Sequence, residues 1–242
     1  MDERDLGADA APIQEAKLAK AEALSAAGHT ISPETTERTV LPTSAAHPYG
    51  VLTVGTELAL LSSESPVRKR IFSYGRYFKS TQIVLLSTKT GQGAITEGNV
   101  SVYPTNSSNK LSRYFDATGI GRALSGVDIV SSQDPFETGF VAWRIARHHK
   151  APLHLQVHTD FLAPAYAAHS VVNRIRVLIA GFLIKRARRV RVVSDAIASS
   201  IKKAYGPKID VSVLPIFIDT ARFATAKPDA SMSQRFLNFP HK

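Results

Sequence analysis

Between residues 50 and 215, short apolar runs alternate with longer segments of helical periodicity, and seven of the runs have the length and bounds of strands. They are residues 50–56, 82–88, 99–105, 127–133, 152–158, 188–194 and 210–215. Most are rich in Val, Ile and Leu and are bounded by polar or turn residues, as parallel strands covered on both faces should be. Helical patterns separate most of them. The alternation predicts an α/β fold over residues 48–215, a doubly wound, Rossmann-like parallel sheet. In such a sheet ligands sit beyond the carboxyl ends of the strands, which narrows the search for chemistry to a few loops.

The helices carry their own start signals. Ser65 followed by Pro66 reads as an N-cap and a first helical position, and Val67, Ile71, Tyr74, Gly75 and Phe78 fall along one stripe. Asp134, Pro135 and Glu137 repeat this grammar, with Glu137 three positions after the cap as in a capping box. Residues 170–189 read as a helix that is apolar nearly all round and basic at its end, and most of it is predicted to pack on the sheet. His148, His149 and Lys150 read as a solvated helix end.

Residues 1–47 are different in kind. Ala, Glu, Lys, Ser and Thr dominate, the only periodic piece is Pro12 to Gly28, and the segment is expected to be a flexible leader. Residues 216–242 are expected to be an interdomain linker and the truncated start of a further domain.

The 242 residues suffice for one domain with a sizeable core. There is no cysteine, which excludes disulfides and thiolate chemistry and favours a cytoplasmic setting. A net charge of +10 keeps acidic partners in view: nucleotides, phosphorylated sugars, anionic lipid surfaces or nucleic acid. No stretch reaches the ~18 apolar residues of a spanning helix. The acidic N-terminus lacks the apolar core of a signal peptide.

Common catalytic signatures are missing. There is no P-loop and no H-E-x-x-H helix, and the first strand runs into Gly55-Thr-Glu-Leu instead of G-x-G-x-x-G. What remains lies past strand ends. His158 closes the fifth predicted strand with Asp160 two residues on, a pair that could bond sugar hydroxyls or a phosphate, or merely cap the strand and organise the turn. Ser131 to Asp134 with Glu137 follows the fourth, where capping alone could explain both carboxylates. The loop Leu60 to Ser65, containing Ser63, leads to a helix N-terminus whose free N–H groups suit an anion. Ser194 with Asp195 reads as an N-cap pair. Arg174, Lys185, Arg186, Arg188 and Arg189 could serve a peripheral membrane contact or simply favour the helix dipole.

Five motifs then fall in order on these elements: Tyr103-Pro-Thr-Asn106, Gln133-Asp-Pro-Phe-Glu-Thr-Gly139, Val157-His-Thr-Asp-Phe161, Arg191-Val-Val-Ser194 and Val213-Leu-Pro-Ile-Phe-Ile-Asp219. Together, over about residues 50–223, they resemble the N-terminal domain of family 4 glycosyltransferases, retaining and metal-independent enzymes of the two-domain GT-B architecture. The resemblance implies an acceptor-side domain that closes over a nucleotide-sugar held by a second domain. It implies that His158 contacts the donor sugar, that Ser194 opens the helix after the sixth strand, and that Pro215 and Asp219 belong to the interdomain linker. Asp160, Asp134, Glu137, Ser63, Ser65 and Ser194 are the expected substrate-binding set. Ser63-Glu-Ser65 departs from the glycine found in many members, which puts phosphate contact at that loop in doubt. The family's E-x7-E motif does not occur after residue 223.

The implied reaction moves a sugar from a nucleotide-sugar to a glycan or lipid-linked acceptor, with the nucleotide-sugar as co-substrate and no metal or other cofactor expected. The chain alone is expected to be inactive. Two rivals stand beside this reading. One is a non-catalytic remnant or interaction module of the same fold. The other, a nucleic-acid binder, rests on charge alone and lacks a recognition helix or an aromatic-interleaved basic strand.

Overall fold

The computed structural model describes residues 47–216 apart from Lys89. The expectations for the leader and for most of the 216–242 segment lie outside the described residues. Eight strands form one sheet: β1 (His47–Gly55), β2 (Phe78–Leu85), β3 (Ile95–Glu97), β4 (Val100–Pro104), β5 (Ile129–Ser132), β6 (Leu153–Val157), β7 (Arg189–Val192) and β8 (Val211–Val213). The helices are α1 (Pro66–Gly75), α2 (Ser112–Ala123), α3 (Glu137–His149), α4 (Pro164–His169), α5 (Val171–Ile184) and α6 (Asp195–Tyr205).

The strand order is β3-β4-β2-β1-β5-β6-β7-β8. Every pairing is parallel except β3 with β4, a short antiparallel edge turned through Gly98 at φ 59°. All seven expected strands are present, and β3 is the one the pattern did not announce. Its three residues, Ile95-Thr-Glu97, are too few for any alternation to register. The chain winds outward from β1 to β4, then returns and winds the other way from β5 to β8. The order therefore reverses between β1 and β5, the place at which sheets of this kind hold their ligands.

The opposite winding directions send the helices to opposite faces, since right-handed crossovers fix the side on which each helix lies. α2, α3, α5 and α6 pack in one cluster on the face that carries Leu52, Val54, Val130, Leu155 and Val192. α1 covers the other face over Ile83, Leu85, Val100 and Val102. Burying an aliphatic side chain of this size contributes about 1.5–3 kcal/mol, and Ile145, Leu183 and Ile201 are wholly excluded from water.

Two expectations are corrected. Phe78 opens β2 and does not continue the α1 stripe, and Tyr74 on that helix is 54 % exposed. The strands past the reversal are not buried on both faces. In β6 Leu153, Leu155 and Val157 are buried while His154 and Gln156 are only half-buried. The polar side of β5 to β7 carries Ser131, His154, Gln156 and Arg191, joined across strands by Ser131 Oγ to His154 Nδ1 at 2.9 Å and Arg191 Nη1 to Gln156 Oε1 at 3.1 Å.

Candidate functional site

The strand reversal places the end of β1 against the end of β5, with Val54 in register with Ser132. Gln133 closes the gap. Its backbone N–H donates to the Val54 carbonyl at 3.2 Å, and its Oε1 accepts from the Thr56 N–H at 3.2 Å. A Cβ on Gly55 would lie 2.6 Å from the Gln133 amide, so glycine is what lets that side chain fold over the strand end. A polar residue after β5 and a glycine ending β1 were both visible in the sequence. Only their spatial meeting was not.

Past β5 the chain turns on Asp134. Its Oδ1 accepts from the Phe136 N–H at 2.8 Å, while its carbonyl accepts from Ser132 Oγ at 2.8 Å. Burial is the leading influence on this carboxyl and raises its pKa, with hydrogen bonds from Phe136 and Thr138 opposing. The expected capping box does not form. α3 begins at Glu137, and the Glu137 carboxylate turns to Arg176 of α5 at 2.8 Å. Gly139 is needed here too, because a Cβ would meet the Asp134 carbonyl at 2.8 Å and Leu183 at 2.9 Å.

Aromatic rings wall the same end. Phe136 meets buried Phe161 edge-on at 5.9 Å and stacks on Tyr166 at 5.8 Å, and the Arg176 guanidinium lies 5.7 Å over the Phe136 ring. Neither the wall nor Arg176 was singled out from sequence. Their spacing, from 136 to 176, has no periodic signature.

His158 follows β6 immediately and is exposed. Gln156 is in register with Arg191, so His158 lies two residues further along the same side of the sheet. It makes no hydrogen bond to a described residue. Its pKa is lowered, first by partial burial and then by the Arg191 charge, while the Asp134 carboxylate pulls the other way. The imidazole thus sits within the field of both groups, and neutral it offers one donor and one acceptor. Arg191 spends Nη1 on Gln156 and Nη2 on the Leu214 carbonyl at 3.1 Å, and its buried Nε has no partner. Asp134 and the Glu137–Arg176 pair thus lie past β5 and His158 past β6, while Arg191 stands within β7 opposite Gln156.

The other expected residues are engaged elsewhere. Asp160 Oδ1 accepts from the Leu162 N–H at 3.2 Å and Oδ2 from Ser200 Oγ at 3.5 Å, so it organises its turn and ties it to α6. Ser194 caps α6 through the Ile197 N–H at 3.4 Å. After β1 comes a 3-10 turn (Leu58–Leu61), and Ser65 then caps α1 by accepting from the Val67 and Arg68 N–H groups. The Lys69 N–H is taken by the Ser65 carbonyl and Pro66 has none, so the N–H groups expected to receive an anion are occupied. Ser63 Oγ donates to Glu64 at 3.4 Å, and Glu64 also pairs with Lys69 at 3.4 Å.

Among the described residues no cluster of three His, Cys, Asp or Glu could hold a metal, and no helix is long and apolar enough to cross a membrane. Two open hollows, of about 520 and 960 Å³, lie along α2, α3 and α5, the larger reaching the amino ends of β6 and β7, and neither is at the carboxyl ends of the strands. The carboxyl ends of the strands near the β1/β5 reversal are the candidate site, because sheets of this topology hold ligands there whatever the size of other hollows.

Solved structures share this fold at low identity. A fragment of sucrose-phosphate synthase from Thermosynechococcus elongatus matches with TM-score 0.52 and 10% identity, covering 78% of this chain and 97% of the fragment. The longer structure of that protein gives 0.56 and 10%, covering 79% of this chain and 53% of its own. UGT2 of Phytolacca americana, solved with UDP-2fluoro-glucose and pterostilbene, gives 0.50 and 10%, covering 76% and 58%. The chain thus spans little more than half of these two longer structures. No curated protein matches significantly. The sequence profile of Glycosyltransferase Family 4 matches residues 72–222, well over half of the chain and the whole stretch from α1 to beyond β8. Four of the motifs lie at the ends of β4, β5, β6 and β7 and the fifth starts at Val213, the last residue of β8, and with the profile covering this stretch the chain belongs to glycosyltransferase family 4.

Proposed function

We propose that this domain forms the acceptor side of a retaining, nucleotide-sugar-dependent glycosyltransferase acting on a glycan or a lipid-linked acceptor in the cytoplasm. The observation that supports this reading is the place of His158, exposed just past the end of β6 and without a hydrogen bond to a described residue, between the strand that carries Arg191 and the one followed by Asp134. His158 contacts the sugar being transferred, while Phe136 and Tyr166 offer an apolar face for the acceptor and the Glu137–Arg176 pair fixes that wall. Catalysis here is positioning and charge stabilisation: the neutral imidazole donates or accepts a hydrogen bond, and Arg191 adds positive potential where the leaving phosphate develops charge. No metal has a part in the proposal.

The nucleotide-sugar is held mainly by groups other than the loop after β1. The α1 N-terminus has no spare N–H for a phosphate, and Glu64 beside it repels one. The 242-residue chain, incubated with a panel of nucleotide-sugars and cell-envelope acceptors, should bind acceptor without robust transfer. Efficient retaining transfer by this chain alone would show that the donor site lies within it.

A further inference from the structure

α5 presents its apolar residues to solvent as well as to the core. Val171, Ile175, Leu178 and Phe182 recur at spacings of four, three and four residues, which places them on one helical stripe. Val171 is 67 %, Ile175 52 % and Leu178 74 % exposed, and Val172 beside them is 54 % exposed. Phe140 of the neighbouring α3 adds to this surface, and Trp143 meets Phe140 at 5.4 Å and Phe182 at 5.0 Å. The expectation that residues 170–189 serve mostly as core packing thus holds only for the side with Ala180, Leu183 and Ile184.

Cations dominate around the stripe. Arg144, Arg147 and Lys150 on or just after α3 and Arg174, Lys185 and Arg186 on or beside α5 have no carboxylate partner among the described residues, and the one acid of the two helices, Glu137, is spent on Arg176. Arg174 and Lys185 flank the stripe. Arg186 lies 3.6 Å over the Phe182 ring and Arg147 5.2 Å over Trp143, so both guanidiniums sit on the aromatic edge of the patch. The 960 Å³ hollow between α3 and α5 is lined by these rings with Arg147, Lys150, Arg186 and Arg188. Arg189 is the exception among the expected basic residues, since it pairs with Asp210 at 3.1 Å.

We infer that the outer surface of α3 and α5 docks on an anionic lipid bilayer. An apolar stripe lying flat, bordered by long cationic side chains and a Trp, and without a carboxylate on its helix, matches the boundary between acyl chains and negative headgroups. An acidic protein surface would meet the same cations, and the bilayer is preferred because the apolar residues form one continuous helical stripe bordered by cations, the geometry of a helix lying in the headgroup boundary. This inference goes beyond the proposed transfer reaction and does not depend on it.

The test is sedimentation of the full chain with vesicles of phosphatidylcholine, with and without phosphatidylserine, across a salt series. The chain should co-sediment with the anionic vesicles at least about tenfold more than with the neutral ones, and salt should release it as charges are screened. Leu178→Asp and Lys185→Glu should each reduce binding severalfold. Leu111→Asp, at a residue 68 % exposed on another surface, should leave it unchanged. Circular dichroism shows that each variant is folded, and two exposed positions in the patch guard against one that is not. Equal binding to neutral vesicles, no binding to either, or indifference to both patch variants would overturn the inference. Self-association that Leu178→Asp abolishes, without lipid binding, would assign the patch to a second copy.

Discussion

Two loops leave the same edge of the sheet two strands apart, one after β1 and one after β6, and they use their polar residues in opposite ways. After β1, Ser65 Oγ accepts from two backbone N–H groups, and Ser63 and Lys69 both bond Glu64. After β6, His158 keeps its ring nitrogens free of described partners and lies in the fields of Arg191 and Asp134. Both loops occupy the position where α/β sheets bind ligands. Spare hydrogen-bonding capacity separates them, because a group already satisfied within the fold must lose a bond before it can make one to a substrate.

The largest expected effect tests whether the platform beneath His158 and Asp134 is rigid. Gly139→Val drives a side chain into the Asp134 carbonyl, a backbone atom that cannot step aside, and into Leu183. Thermal unfolding should report a loss of about 2–3 kcal/mol, together with weakened ligand binding. A variant as stable as the parent would mean that α3 approaches the loop less closely than described.

A smaller effect should appear after β1. Ser65→Ala removes the α1 cap and should cost about 1 kcal/mol of stability, while ligand binding is unchanged. His158→Ala should do the reverse, leaving unfolding unchanged and weakening acceptor or donor binding about tenfold, the scale of one hydrogen bond. If Ser65→Ala abolished binding in a chain that still folds, the division between the loops would be wrong.

The smallest expected effect is on pH. Burial, then Arg191 and Arg189, lower the pKa of His154 in the fold. Between that lowered value and the unfolded one of about 6.5, the unfolded chain binds more protons, so stability rises with pH across this window and is lost as the pH falls through it. Denaturation midpoints should decline as pH drops below about 6.5, and His154→Gln should flatten the slope. His158 shifts in the same direction, so a residual slope should remain.

Much of this architecture is written in short-range pattern. The seven parallel strands, the Ser65-Pro66 start of α1 and the β6 run ending at His158 could each be read locally, because periodicity and capping are local properties. The misses share a cause. β3 is three residues long and is held by pairing with β4. Glu137 stands three residues after Asp134 in sequence, but the helix starts at Glu137 itself, so its carboxylate is at the first helical position, where a capping box cannot close, and it pairs with Arg176 instead. Gln133 over Gly55, Arg191 beside His158 and the Phe136–Tyr166–Arg176 wall are assembled by contacts between distant segments, which no window of sequence contains. Ser65 and Asp160 were legible as residues with a role. Whether that role was structural or ligand-facing became clear only when their bonds were counted.

Titration of the chain with a panel of nucleotide-sugars and glycoside acceptors, followed by nuclear magnetic resonance, tests the contrast between the two loops most directly. The ring signals of His158 should move on ligand addition while the backbone amides of Val67 and Arg68, bonded to Ser65, stay in place. Shifts at those two amides with an unmoved His158 ring would place the ligand at the α1 N-terminus and contradict the account.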